Sequence, residues 1–363
     1  MKKTRNFYNL HANLRREKLF KLSCLRKELK KKKLRLPFKE QQNIKHAISI
    51  RRKFYDYQKI SAPSNFSFIE NEEDTLVFIH SVIDCYRKRR KTFINLHNVK
   101  HVTNDALVLL LSNMVRFRTS NRPFNGNFPR DKKCAKIIRE SGFLESLYDR
   151  LKRNSVYDLP GKSNSFHTHA NKIVDQIKTD DIIKKASITI WGEERRCKQV
   201  QRAFIELMQN TMNHAADIPG DKHWWLTVSH DKENRKVTIS FVDFGKGVFR
   251  SLDEKKEDDK FYNWKEVIKK YWPLAKSNDQ KLKLIFEGAL YKDKPATVTR
   301  NYYRGKGLPG IYKAMKNNDL VNLVVITNNV YANVSSEEYH LMSREFEGTF
   351  VSWEMNETIN SLL

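Results

Sequence analysis

Residues 202–215 read RAFIELMQNTMNHA, and residues 237–248 read VTISFVDFGKGV. In the first stretch Phe204, Leu207, Met208 and Met212 fall on one stripe of a helix. Glu206, Asn210 and Asn213, at i, i+4 and i+7, share another face. An amide oxygen can bind Mg²⁺ while a carboxylate one turn away accepts a proton from water, so the pair can meet a single ligand. In the second stretch Val237, Ile239 and Phe241 alternate as a strand that runs into Asp243-Phe244-Gly245-Lys246-Gly247. A carboxylate at a strand end accepts a hydrogen bond from an exocyclic amine, and flanking glycines let a flat base approach the backbone. Taken singly, each stretch is equally an amphipathic helix facing solvent or a tight turn after an edge strand.

Two further stretches follow in order. YYRGKGLPGIYKAMK, 302–316, places Gly305, Gly307 and Gly310 ahead of a helical pattern through Leu308, Ile311 and Met315. Small residues at a helix start expose backbone N–H groups to an anion, and the helix dipole adds to the attraction. A dinucleotide-binding turn would need a strand directly before the glycines and an acid about 20 residues beyond them. VTRNYYR is a poor strand, and VNLVVITNN ends without such an acid. FEGTFVSWEM, 346–355, opens a last strand at Gly348-Thr349.

The order E-x-x-x-N, DxGxG, GxGLxG and GT resembles the four nucleotide-binding boxes of the GHKL superfamily of ATPases and kinases. The resemblance spans residues 186–358 and implies a Bergerat-type α/β sandwich, a mixed sheet with helices on one face, holding ATP and Mg²⁺. Residue by residue, it implies that Glu206 activates the attacking water and that Asn210 holds the metal. Asp243 would bind the adenine amine with Thr349 assisting, and Gly245 and Gly247 would leave room for the base. Gly305, Lys306, Gly307, Leu308 and Gly310 would face the phosphates. Residues 249–304, long and highly charged, would be the ATP lid, with helical stretches such as YNWKEVIKKYW. His214, which follows the first box, has no assigned role.

Residues 73–150 read as a compact α/β pattern: a helix over DTLVFIHSVIDCYRKRRKT, a short strand TFINLHNV and a helix NDALVLLLSNMVRF. A turn-rich PFNGNFP and a helix KKCAKIIRESGFLESL follow. This order resembles the STAS domain of anti-sigma-factor antagonists. Where that family presents an acceptor serine, this chain has Val102-Thr103-Asn104-Asp105. Residues 61–72, beginning SAPSNFS, read as a linker, and 151–185 as a connecting segment with one helix. GKS at 161–163 lacks the earlier glycine of a phosphate loop, since Val156 stands there, and His167 and His169 read as surface histidines.

Charge sets the first 60 residues apart. Of the 69 Lys and Arg in a chain of net charge +27, this segment holds 20 against 4 Asp and Glu, an excess of 16. Leu19, Leu22, Leu25 and Leu29 recur at helical spacing within it, and Pro37 reads as a stop, so the segment is expected to be a basic helical arm. Such charge attracts polyanions by counterion release: DNA or RNA first, an acidic protein second, a membrane surface third. No apolar run approaches the roughly 18 residues of a membrane span. Cys24, Cys85, Cys134 and Cys197 form no paired ligand spacing, and no apolar signal core follows the N-terminal charges, so the expected location is the cytoplasm.

The expected function is therefore an ATP-hydrolysing switch, Mg²⁺-dependent, that engages nucleic acid through residues 1–60 and could dimerise when the lid closes. The alternative is a serine-type regulatory kinase or nucleotide-gated binding module, with a protein partner at the STAS-like region.

Overall fold

The computed structural model describes residues 23–24, 56–148, 159–160, 166–171, 174–214, 224–253, 270, 273, 275–288 and 307–360. The chain divides into two compact units, Met1–Tyr57 and Gln58–Leu363. Nearly all of the basic arm lies outside the described residues, as does YNWKEVIKKYW except Lys270. The second unit is α/β.

Its N-terminal part is a parallel sheet in the order β1 (Gln58–Ser61), β3 (Thr92–Asn95), β5 (Phe124–Asn127). Beside it β2 (Asn65–Phe66) pairs in parallel with β4 (His101–Val102). The intervening helices are α1 (Glu72–Arg87), α2 (Asn104–Thr119), α3 (Lys132–Glu140) and α4 (Phe143–Tyr148). The Asp131 carboxylate caps α3 by accepting from Cys134 N at 2.8 Å. Three sequence expectations need correction here. The strand β1 begins at Gln58, inside the segment assigned to the arm. Residues 61–72 are not a linker: Phe66 and Phe68 are fully buried, and the Asp105 carboxylate accepts from Phe68 N at 2.6 Å and Ile69 N at 3.1 Å. That buried carboxylate fastens the segment to the first turn of α2, and burial raises its pKa despite the donors. The turn-rich PFNGNFP contains β5, a strand set by its pairing with β3 rather than by apolar alternation.

The C-terminal part is a six-stranded sheet in the order β10 (Val321–Asn333), β11 (Glu338–Met355), β9 (Lys236–Asp243), β8 (Trp224–Asp231), β7 (Phe166–Asn171), β6 (Leu159–Pro160). Every pairing in it is antiparallel, so the expected mixed sheet is not observed. The segment 151–185 is more than a connector, since it supplies the edge strand β6, its neighbour β7 and the start of α5 (Gln176–Trp191). With α6 (Lys198–His214), α8 (Asn278–Phe286) and α9 (Gly307–Lys316), α5 covers one face, over Leu226, Ile239, Phe241, Val351 and Trp353. A short helix, α7 (Gly247–Asp253), follows β9 and packs on β10 and β11.

The other face is also covered, contrary to the one-sided sandwich expected. Trp225, Val242, Ile326 and Phe350 share a core with α1 and α2. Twelve of the sixteen residues of α2 are buried, as a helix between two sheets requires. Polar contacts add to the junction: His340 Nε2 lies 3.0 Å from Glu72, and Arg87 bonds Glu347 at 2.7 Å. Such exposed pairs each contribute only up to about 1 kcal/mol, so the shared apolar core does most of the joining.

The lid expectation over 249–304 needs correction at Asn278–Phe286; most of the rest of that segment lies outside the described residues. Leu282, Ile285 and Phe286 of α8 are buried in the core, with Phe286 stacked on Tyr312 of α9 at 5.7 Å between ring centroids. Apolar residues at i, i+3 and i+4 make this stretch a core helix.

Candidate functional site

The helix α6 buries Val200, Ala203, Phe204, Leu207 and Met208, and this stripe leaves Glu206 and Asn210 facing α9. There the two helices run antiparallel with glycines opposite the polar side chains. A β-carbon added at Gly310 would lie 2.5 Å from Glu206 Oε2, and one added at Gly307 would overlap Asn210 Nδ2. The one-turn spacing of 206 and 210 thus meets the one-turn spacing of 310 and 307. Glu206 is 5% exposed, and its Oε1 accepts from Arg202 Nε at 2.8 Å. A cavity of about 410 Å³ opens against Glu206 and Gly310, with Arg202 and Lys313 in its wall. We expect Gly310→Val to wedge α6 from α9 and cost about 1–3 kcal/mol of stability. Denaturant melts of the two proteins check this; equal midpoints would mean that the helices are not closely apposed.

The second cluster sits at the end of β9. Asp243 stands opposite Trp224 on one side and Thr349 on the other. Its carboxylate accepts from Gly245 N at 3.0 Å and from the backbone and hydroxyl of Thr349. Burial outweighs these donors and pushes its pKa up to about 6. Gly348 adopts φ +141°, and a β-carbon there would overlap the Asp243 carbonyl oxygen, so only glycine lets β11 approach.

Two residues not singled out from the sequence hold the turn after Asp243. Thr327 Oγ1 accepts from Val248 N at 3.1 Å and donates to Gly348 O at 3.0 Å. Asn328 accepts from Phe249 N at 3.1 Å and donates to Lys246 O at 3.0 Å. The pair Thr327-Asn328 near the end of VNLVVITNN was the available signal, because Thr and Asn side chains there can replace ladder bonds. Gly245 lies in this turn and Gly247 opens α7.

The clusters lie toward one end of the sheet. A short connection joins α9 to β10, whose first residue pairs near Glu354 and whose Thr327 pairs with Thr349. Ten residues of helix run back about 15 Å and six of strand about 20 Å, so Gly307 lies toward the Thr349 end. Leu308 is 7% exposed and packed in the core, which leaves its backbone rather than its side chain available to a ligand. Gly305 and Lys306, and the side chains of Met212, Asn213 and His214, lie outside the described residues.

Together these groups offer a half-buried acceptor for an amine, the start of a ten-residue helix for an anion, and a carboxylate and an amide for a hydrated cation. Among the described residues no three His, Cys, Asp or Glu could hold a metal by themselves. A cation here would share its coordination with a substrate, as Mg²⁺ commonly does with phosphates. Among the described residues no helix is long and apolar enough to cross a membrane. Compared with known proteins, the chain matches no protein-family model, no curated protein and no solved structure.

Proposed function

We propose that the protein binds Mg·ATP between α6, α9, the end of β9 and Thr349 of β11, and hydrolyses it as a GHKL-type switch. The observation that carries this reading is the packing of Glu206 on Gly310 and of Asn210 on Gly307, two stretches about a hundred residues apart in sequence. In this reading Asp243 accepts the adenine amine and Thr349 holds the carboxylate in place. Backbone N–H groups at the start of α9 meet the phosphates, and Glu206 orients and deprotonates water while Arg202 fixes its rotamer. Asn210 would hold Mg²⁺ through its amide oxygen, and its packing on Gly307 at the start of α9 supports this role. When bound, Mg²⁺ supplies charge neutralisation at the phosphate oxygens. Saturable binding of Mg·ATP with release of phosphate tests the reading.

We assign the output to residues 1–60, whose excess of 16 positive charges suits DNA or RNA. Binding of labelled duplexes is expected to weaken steeply with salt and to change when ATP is added. An absence of binding at low salt would remove nucleic acid as the partner, and equal affinity with and without ATP would uncouple the arm from the site.

A further inference from the structure

On the α1–α2 side of the six-stranded sheet, successive rungs change character abruptly. Trp225, Val242 and Phe350 form one rung across β8, β9 and β11, and it is packed under α1 and α2. The next rung on that face is Thr227, Ser240 and Ser352, and the one after it is Ser229, Thr238 and Glu354. Side chains two apart on a strand share a face, so an apolar floor becomes a hydroxyl floor within one step. Thr227, Ser240 and Ser352 are only 1–3% exposed. Ser240 and Ser352 bond each other at 3.0 Å. Thr227 has no such neighbouring serine bond and lines a cleft of about 740 Å³.

The roof of this cleft comes from residues 67–70, 102–105 and 137–141. Among the described residues Glu70, Glu140, Asp231, Glu233 and Glu354 line it with Lys232 and the buried His230; Asp231 accepts from Asn234, and Glu354 pairs with Lys236 at 3.2 Å. Such a density of carboxylates is unexpected in a chain of net charge +27. Glu70 and Glu140 have only exposed partners, His101 at 3.3 Å and Lys136 at 3.8 Å, which a stronger cation can displace. Ile69, Val102 and Ile137 lie between the carboxylates, and Ile137 is 40% exposed. Among the described residues no three carboxylates or histidines could hold one metal ion, so the negative charge is spread rather than focused.

We propose that this cleft binds an aliphatic polyamine. Separate ammonium groups match carboxylates distributed around a rim, and methylene segments match the isoleucines and valine between them. The hydroxyl of Thr227 accepts from an ammonium N–H at the floor. Long-range electrostatics of a strongly cationic chain oppose any polycation, so saturable binding requires a local site of this kind. The proposal does not depend on the ATP reading, because its residues belong to the opposite face of the sheet.

The test is calorimetric titration of spermidine into the full chain without nucleotide, at constant ionic strength. One saturable site is expected, with putrescine binding more weakly. Glu140→Gln combined with Glu233→Gln, both exposed, is expected to weaken spermidine at least about tenfold while leaving the thermal melt unchanged. Thr227→Val, nearly equal in shape, is expected to weaken it about three- to tenfold, as loss of one hydrogen bond would. No saturable binding, binding that the double variant leaves intact, or equal displacement by Mg²⁺ at matched ionic strength would each overturn the proposal.

Discussion

Asp243→Asn is expected to bind Mg·ATP about ten- to a hundredfold more weakly than the wild-type protein. The carboxylate is held at the end of β9 by Gly245 N and Thr349, and burial raises its pKa to about 6. A hydrogen bond to a charged group contributes about 1.5–3 kcal/mol, and each 1.4 kcal/mol is a factor of ten in affinity. Asparagine keeps the shape but turns one acceptor into a donor, either against the adenine amine or against Thr349. The same carboxylate makes affinity pH-dependent. Below about pH 6 it takes up a proton and ceases to accept fully, so wild-type affinity should fall on acidification and the Asn variant should be insensitive at this position. Stability moves the other way. The folded pKa lies above the unfolded value of about 3.9, so the native state binds the extra proton between these two values. This group's contribution is fully present at acid pH and is lost as the pH rises through about 6. Calorimetric titration between pH 5 and 8, on both proteins, checks the affinity, and denaturant melts over the same range check the stability; parallel affinity profiles would remove Asp243 from the site.

Glu206→Ala is expected to separate binding from chemistry. The side chain is buried between Arg202 and Gly310, in the α6–α9 contact rather than at the end of β9. Its loss should leave ATP affinity within about threefold, since it would contribute to water activation rather than to ground-state contacts. Turnover should drop by about 10² to 10⁴, the usual contribution of a positioned general base. Phosphate release in single-turnover conditions reads the effect without interference from product dissociation. Unchanged turnover would assign the base elsewhere, and a large loss of affinity would mean that the variant has disturbed the α6–α9 packing.

The parts of this fold that were legible in the sequence are those whose chemistry and periodicity coincide. The helix stripe of Phe204, Leu207 and Met208 predicted which face of α6 is buried, and so placed Glu206 and Asn210 beside it. Asp243 was readable as a strand end because alternation stops at it and glycines follow. The covering of the second sheet face was missed, although the strands carried a signal for it. Apolar runs such as VVI in β10 and FV in β9 supply residues to both faces, as strands buried on both sides do. The strand β5 was hidden because FNGN has no apolar alternation and is defined by bonds to β3. Phe66 and Phe68 were masked by the Ser, Pro and Asn around them, and what fixes that segment is a carboxylate, Asp105, from a distant part of the sequence. Thr327 and Asn328 were illegible as site residues for a related reason: their partners are the backbone of a turn roughly eighty residues earlier.

The central claim is a nucleotide site, and calorimetric titration of Mg·ATP into the wild-type full chain tests it most directly. The account predicts one saturable site per chain, weakened by removal of Mg²⁺ and by Asp243→Asn. A flat titration up to millimolar Mg·ATP, with the chain folded by circular dichroism, would contradict it.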